Sequence, residues 1–152
     1  MDYEKKLESL GLKLPPPPKP VATYVPAVRS GNLLYLSGMI PMVDGKMATT
    51  GKLGKELTVE QGQEVTRITL LNALAVIKAA VGSLDRVKRI VRIGVHVASA
   101  EGFTQQPAVA NGASDLLVQI FGEEGRHARL ALGAAELPLG APVELEMIVE
   151  VE

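Results

Sequence analysis

Two long stretches of the chain space their apolar residues as amphipathic helices do, and a glycine follows each stretch. The first begins with Thr58, which has Gln61 three residues later in the pattern of a capping box, and it ends at Gly82. The second covers 104–121 and closes at Gly122. We therefore predict two long helices. Their core-side positions are Val65, Ile68, Leu70, Leu71, Leu74, Ala75 and Ile77 in the first, and Val109, Ala113, Leu116, Leu117 and Ile120 in the second.

Three longer segments alternate apolar and polar residues with the period of a strand: 86–98, 128–137 and 143–152. In the middle segment, Leu130 and Leu132 are predicted to face the core, which sends Arg129 to the opposite face. The predicted core-side residues are Val87, Val91, Ile93, Val95 and Val97 in the first segment, opposite Lys88, Arg92 and His96, and Val143, Leu145, Met147, Val149 and Val151 in the last, opposite Glu144, Glu146, Ile148 and Glu150.

Shorter strands are predicted over 21–28 and 33–37, joined as a hairpin by the turn sequence of 30–32. The segment 41–55 is rich in Gly, Asp, Lys and Thr, and we predict a loop there with one short strand, 46–49. The element order is then ββ(β)αβαββ. It predicts an α+β two-layer domain, in which a mixed sheet carries both long helices on one face. The other face is expected to pack against another subunit.

The N-terminal residues predict an extension to this domain. Tyr3, Leu7 and Leu10 have helical spacing and Gly11 follows them, so we expect a short appended helix. The proline run 15–18 favours a stiff, extended spacer, and a ligand for a proline-recognition domain is the alternative. With 152 residues in all, we predict a single domain over 1–152, in which 1–20 form the helix and spacer.

Composition narrows the classes of function. The formal net charge is -1 and aromatic residues make up 3% of the chain, which argues against a dedicated nucleic-acid binder. The chain has no Cys, which excludes disulfides and thiolate chemistry. No apolar run is long enough to span a membrane, so a soluble, cytoplasmic protein is expected. We expect no metal site, and we assign structural or surface roles to the two histidines, His96 and His127.

Arg129 is the candidate with the clearest chemistry. Its predicted face also carries the small residues Ala131 and Gly133, which leave room for a ligand, and a guanidinium suits bidentate binding of a carboxylate. The alternative is a structural ion pair with Glu144 or Glu146. If the strands of Arg129 and Glu144 pair or border one cleft, Glu144 could act as a general base there. A solvated acidic face is the other interpretation of Glu144.

Several motifs in order make the chain resemble the reactive intermediate deaminases, a superfamily also called YjgF-like or endoribonuclease L-PSP. The resemblance covers about 20–152. The N-terminal proline segment and the sequence from Asn111 to Arg129 resemble one subgroup of that superfamily. The motifs are Tyr24-Val25, Gly31-Asn32-Leu33-Leu34-Tyr35-Leu36-Ser37-Gly38, Ile40-Pro41, Asn111, Ala128-Arg129, Glu136-Leu137-Pro138 and Val143-Glu144-Leu145-Glu146.

The resemblance implies a chorismate-mutase-like fold and a homotrimer with a central β-barrel and clefts at the subunit interfaces. It implies hydrolysis of reactive enamines and imines such as 2-aminoacrylate to 2-keto acids and ammonia, without a cofactor. In that reaction Arg129 would bind the substrate carboxylate and Glu144 would activate water, while Tyr24, Ser37 and Asn111 would line the cleft.

The chain departs from the family pattern at two positions near the expected cleft. Met39 stands where the usual motif has Gln, and Ala131 stands where many members have Cys. The loop 122–127 also differs in length. A trimeric protein that binds small carboxylates without turning them over is therefore an alternative hypothesis. An endoribonuclease is a third, against which the balanced charge speaks.

Overall fold

The protein is described by a computed structural model that covers residues 2–19 and 22–152. Both long helices are confirmed, and so is the capping box: Gln61 N–H donates to Thr58 Oγ1 over 3.2 Å and Thr58 N–H donates to Gln61 Oε1 over 2.8 Å. The elements are α1 Tyr3–Ser9, β1 Ala27–Ser30, β2 Leu33–Leu36, β3 Met42–Val43, β4 Lys46–Met47, α2 Val59–Val81, β5 Val87–Ala98, α3 Gln106–Phe121, β6 Ala128–Ala134 and β7 Val143–Val151.

A five-stranded sheet has the order β1-β2-β7-β5-β6. Strands β5 and β6 run parallel, and the other neighbours are antiparallel, so the predicted mixed sheet is confirmed. Helices α2 and α3 pack side by side on one face, where the inward residues of β5 and β7 complete an aliphatic core. The opposite face of the sheet, here called the open face, carries no helix of the described chain.

The smaller elements differ from prediction mainly in extent. The hairpin is confirmed, but β1 begins at Ala27, and residues 22–26 form no strand. Val21 lies outside the described residues. The loop 41–55 holds two short strands, β3 and β4, that pair with each other, where one strand over 46–49 was predicted. Strand β6 ends at Ala134.

Two irregularities shift the register of β5 against β7, between Val87 and Arg89 and between Ile90 and Arg92. Each shift changes which residues face the helices. Ile90 is therefore fully buried, and Val91, predicted to face the core, is only half-buried. From Ile93 onward the predicted alternation is confirmed.

The faces of β6 are the reverse of the prediction. Arg129 pairs with Ile93, which is fully buried beneath the helices, so the Arg129 side chain leaves the sheet on the helix side. Leu130 and Leu132 lie on the open face, where they are 43% and 38% exposed. The prediction that these two leucines face the core was wrong, because β6 is an edge strand whose apolar residues face away from the helices.

The N-terminal helix is part of the core. Tyr3 and Leu7 are buried, and the ring of Tyr3 packs on Phe121 of α3 with 4.6 Å between centroids. The idea of an appendage was therefore wrong. After α1, residues 12–19 form no helix or strand, as expected of the proline run. Pro17 borders a shallow groove against Ala79 and Ala80 of α2, and Pro20 lies outside the described residues.

Candidate functional site

Arg129 is held by neutral polar groups of α3. Its Nη1 donates to Asn111 Oδ1 over 2.7 Å and to Ser114 Oγ over 3.2 Å. Within residues 2–19 and 22–152, no carboxylate lies at ion-pair distance from Arg129. The alternative of a structural ion pair is therefore wrong for the described chain.

The local fold brings these residues together for simple reasons. Asn111 and Ser114 are three residues apart on α3, which places them on one helix face. Gly112 lies between them, and an added Cβ there would collide with the backbone carbonyl of Gln63 in α2. Because α3 packs this closely on α2, its Asn111 face reaches the helix side of β6, where Arg129 leaves the strand.

His127 also belongs to the group of side chains around Arg129, although only a structural or surface role was predicted for it from the sequence. Its Nδ1 lies 2.7 Å from the carbonyl oxygen of Gly125, and its Nε2 lies 2.8 Å from Ser114 Oγ. Burial lowers the pKa of His127 and the nearby charge of Arg129 lowers it further, although the bond to the Gly125 carbonyl opposes them. His127 is therefore neutral at pH 7. We call Asn111, Ser114, His127 and Arg129 the arginine cluster.

Sequence reasoning missed Ser114 and His127 as site residues. The available signals were weak: His127 stands two residues before Arg129, on the same side of the strand, and Ser114 stands three residues after Asn111. Their hydrogen bond joins α3 to the residue before β6, and no local pattern specifies that contact.

The other three predicted site residues lie together at the open end of the β1–β2 hairpin and the start of β7. Ser37 Oγ donates to the carbonyl oxygen of Val25 over 2.7 Å, and Tyr24 precedes Val25 and is 53% exposed. The Glu144 carboxylate occupies the space that a Cβ on Gly38 would need. We call Tyr24, Ser37 and Glu144 the glutamate cluster.

The arginine and glutamate clusters lie on opposite faces of the sheet. Glu144 pairs with His96, whose row continues to Leu132 on the open face, whereas Arg129 lies on the helix side. Strand β5 separates β6 from β7, so the strands of Arg129 and Glu144 do not pair. The form of the prediction in which these two strands pair was therefore wrong. One chain alone does not bring the two side chains together.

Comparison with known proteins identifies the family. The model of the YjgF/chorismate mutase-like, putative endoribonuclease family matches residues 4–151. The chain belongs to the YjgF family.

Individual relatives cover nearly the whole chain. This chain is 50% identical over 145 residues to Protein TCP17 of Trypanosoma cruzi, and the match covers 95% of this chain and 91% of the relative. It is 30% identical over 141 residues to a 2-iminobutanoate/2-iminopropanoate deaminase of Dermatophagoides farinae, over 93% and 95% of the two chains. The crystal structure of a putative endoribonuclease from Shewanella oneidensis MR-1 superposes with a TM-score of 0.94 at 35% identity, covering 98% of this chain and 99% of that one.

The two departures from the YjgF-family motif have different surroundings. Met39 is 5% exposed and belongs to the core, while its backbone pairs with Leu145 through two hydrogen bonds of 2.8 Å. Within one chain, its side chain therefore does not line either cluster. Ala131 lies on the same side of β6 as Arg129 and packs against the core, so the surface beside the guanidinium is small and apolar.

A third group of charges lies on the open face. Glu146 pairs with Arg92 over 3.0 Å and with His96 over 3.3 Å. Partial burial opposes ionisation, but the hydrogen bonds from Arg92 and His96 hold the pKa of Glu146 below its usual value. Of the acids flanking Glu144, Glu146 is thus committed to an ion-pair network, whereas Glu144 has no ion-pair partner in the described part of the chain.

Residues 2–19 and 22–152 provide neither a metal-binding group of side chains nor a membrane-spanning helix. They contain no group of three or more His, Asp or Glu residues placed to hold a metal ion. None of their helices has the length and apolar character to cross a membrane.

Proposed function

We propose that this protein is a hydrolytic deaminase of reactive enamine and imine intermediates, such as 2-aminoacrylate, which it converts to 2-keto acids and ammonia. The observation that carries the proposal is the environment of the Arg129 side chain. Its guanidinium is oriented by Asn111 and Ser114, and no carboxylate of the described chain neutralises it. A fixed, unpaired guanidinium is a binding site for the carboxylate that every amino-acid-derived imine carries.

The proposed reaction needs one proton acceptor near a water molecule. Water adds to the imine carbon, and Glu144 takes a proton from it as the carbon–oxygen bond forms. Glu144 then returns that proton to the nitrogen, which gives a carbinolamine. Glu144 next passes the hydroxyl proton of the carbinolamine to the amino nitrogen, so that the carbon–nitrogen bond breaks, ammonia leaves and the carbonyl forms. The product keeps the carboxylate on Arg129. Tyr24 and Ser37 of the glutamate cluster would line the same cleft, and no cofactor enters the balance.

Because the two clusters lie on opposite faces of one chain, the proposal requires a site shared between copies. We propose a homotrimer with a central β-barrel, in which the arginine cluster of one copy meets the glutamate cluster of the next. The open face supports this assembly, since a subunit contact would bury its exposed apolar residues. These are Val28, Tyr35, Leu130 and Leu132.

Similarity supports the reaction class. The relative from Dermatophagoides farinae is named for deamination of 2-iminobutanoate and 2-iminopropanoate, and it matches this chain over 93% of its length. In the resemblance described from the sequence, Arg129 and Glu144 belong to the motifs that imply this reaction.

The direct test measures keto-acid release from imines generated enzymatically, with wild type and Arg129→Ala compared across several imines. We expect Arg129→Ala to lower kcat/KM by about 100-fold, because it removes a charge-assisted, bidentate contact. Arg126→Ala is the matched control: Arg126 is an exposed arginine nearby whose ion pair is with Glu123, and its loss should change little. Equal rates for wild type and Arg129→Ala across the panel would remove the basis of the proposal.

A second function, binding of small carboxylates without turnover, is favoured by one observation. The arginine cluster is complete within a single chain, whereas the proposed base is not near it. Calorimetry with 2-oxobutanoate separates the two functions. Tight binding that depends on Arg129, without imine hydrolysis, would support a binding protein.

A further inference from the structure

The hydrogen bonds of Arg129 use only one of its nitrogens. Both N–H groups of Nη1 are taken, one by Asn111 and one by Ser114. The described residues provide no hydrogen-bond partner for Nε or Nη2. A guanidinium can offer two parallel N–H groups along the edge that joins Nε and Nη2, and this edge is therefore free.

We propose that Ser114 and His127 are positioning residues that hold Arg129 so that its Nε/Nη2 edge receives the substrate carboxylate side-on. The inference rests on the proposed function, because it assumes that Arg129 is the carboxylate-binding residue. It adds two residues to the proposed site and a defined orientation of the bound acid.

The directions of the hydrogen bonds that lead from Gly125 through His127 and Ser114 to Arg129 follow from one fixed acceptor. The Gly125 carbonyl can only accept, so Nδ1 of His127 carries the ring hydrogen. Neutral His127 then has a lone pair on Nε2, which accepts the hydroxyl hydrogen of Ser114. With its hydrogen directed to His127, Ser114 Oγ turns a lone pair to Arg129 Nη1. The hydrogen bond to His127 thus makes Ser114 Oγ an acceptor for the N–H group of Arg129 Nη1.

The fixed end of this chain of bonds is rigid. Gly125 is buried, and a Cβ added there would collide with the backbone carbonyl of Leu117 and lie 3.1 Å from Cβ of Phe121. The Gly125 carbonyl is therefore locked against the end of α3. Since Ser114 and Asn111 are on the same helix, one rigid body supports both acceptors of Nη1.

The experiment measures the Kd of 2-oxobutanoate by calorimetry and the kcat and KM for enzymatically generated 2-iminobutanoate. We expect Ser114→Ala and His127→Leu each to raise Kd and KM by about 10-fold and to lower kcat much less, because a ground-state binding contact is misaligned. Ser114→Thr keeps the hydroxyl, and His127→Gln keeps an uncharged acceptor. Both should stay within about 3-fold of wild type. Thermal unfolding of each variant checks that the fold is intact.

A second measurement observes the wild type directly and replaces no residue of the arginine cluster. In the wild type, ¹⁵N NMR of the imidazole should show His127 as the Nδ1–H tautomer, and its Nε2 signal should shift when 2-oxobutanoate binds. His96→Gln assigns the signal, since these are the two histidines of the chain. An Nε2–H tautomer, or a signal that saturating ligand leaves unmoved, would overturn the inference.

The outcomes separate this inference from the proposed function. If Arg129→Ala abolishes binding of 2-oxobutanoate while Ser114→Ala and His127→Leu bind as wild type does, the positioning role is wrong and the carboxylate site stands. If Arg129→Ala and Arg126→Ala both bind as wild type does, the carboxylate site itself is wrong, and the inference falls with it.

Discussion

Gly112 is the residue that sets how closely α3 approaches α2. We expect Gly112→Ala to lower the free energy of unfolding by about 1–3 kcal/mol, because the new methyl group meets the backbone of Gln63, which cannot rotate away. Since Asn111 precedes it, the shift of α3 should also weaken the hold on Arg129. Urea denaturation measures the first effect, and 2-oxobutanoate binding measures the second.

Gly62 of α2 provides the matched control for that substitution. A Cβ at Gly62 would also point toward α3, 3.1 Å from Cγ2 of Val109, but it meets no backbone, and its nearest contact, at 2.6 Å, is Cδ1 at the flexible end of the Leu53 side chain. The cost of moving it is offset by the higher helix propensity of Ala, about 1 kcal/mol. If Gly112→Ala and Gly62→Ala have the same stability, the close backbone contact does not position α3.

The identity of the site residues could be predicted from the sequence better than the face of the sheet on which each side chain lies. Arg129, Asn111, Tyr24, Ser37 and Glu144 were all named from motifs, and the structure groups them into two clusters. The face of Arg129 was predicted wrongly because alternation divides a strand into two sets without saying which set meets the helices. On the edge strand β6, Leu130 and Leu132 lie on the open face, so assigning the leucines to the core gave the wrong face for Arg129.

At the scale of elements, the carboxylate of Glu4 makes the side-chain polar contacts of α1 with α2 and the turn after it. Glu4 accepts from Lys78 Nζ over 2.6 Å, from Ser83 Oγ over 2.5 Å and from the Leu84 backbone N–H over 3.1 Å. These partners connect α1 to α2 and to the turn that precedes β5. The hydrogen bond from Lys78, helped by that from Ser83 and opposed by burial, lowers the pKa of Glu4 below its ordinary value of 4.5.

The lowered pKa predicts how stability depends on pH. The folded state favours the ionised carboxylate, so the contribution of Glu4 is complete above pH 4.5 and is lost as the pH falls through the lowered pKa. At neutral pH, Glu4→Gln should therefore cost about 1–2 kcal/mol of unfolding free energy, and the difference from wild type should shrink toward pH 3. The exposed Glu8 of the same helix supplies the control Glu8→Gln. A constant difference at all pH values would contradict the prediction.

Helices and strands were predicted from periodicity where one period holds throughout an element. The capping box and terminal glycines placed α2 and α3 to within a few residues. The register shifts of β5 and the docking of α1 could not be predicted this way. A bulge depends on how one strand fits its neighbour, and the burial of Tyr3 depends on Phe121, more than a hundred residues away.

At the scale of the whole molecule, the division of the site between two faces is the central property. Within one chain, residues that the family motif associates with one reaction are separated by the sheet. The open face combines exposed Leu130, Leu132 and Tyr35 with the Arg92–Glu146–His96 network. A surface that combines apolar side chains with polar groups already hydrogen-bonded to one another is suited to contact another copy of the chain, since Glu146 keeps its partners on burial.

Subunit mixing tests that division directly. Arg129→Ala and Glu144→Gln should each be nearly inactive alone. When differently tagged copies of the two variants are expressed together and purified through both tags, a shared site predicts that activity returns. In a closed trimer that contains both variants, one of the three interfaces joins an intact arginine cluster to an intact glutamate cluster, so activity should approach about a third of wild type.

Two controls show whether recovered activity comes from mixed oligomers. Each variant mixed with itself must stay inactive, and sedimentation must show the mixed species at the same size as wild type. If the mixed oligomers form but remain as inactive as either variant, Arg129 and Glu144 act in the same chain or not together at all. Recovered activity would mean that water activation and carboxylate binding are supplied by neighbouring copies. The open face would then be needed for catalysis as well as for assembly.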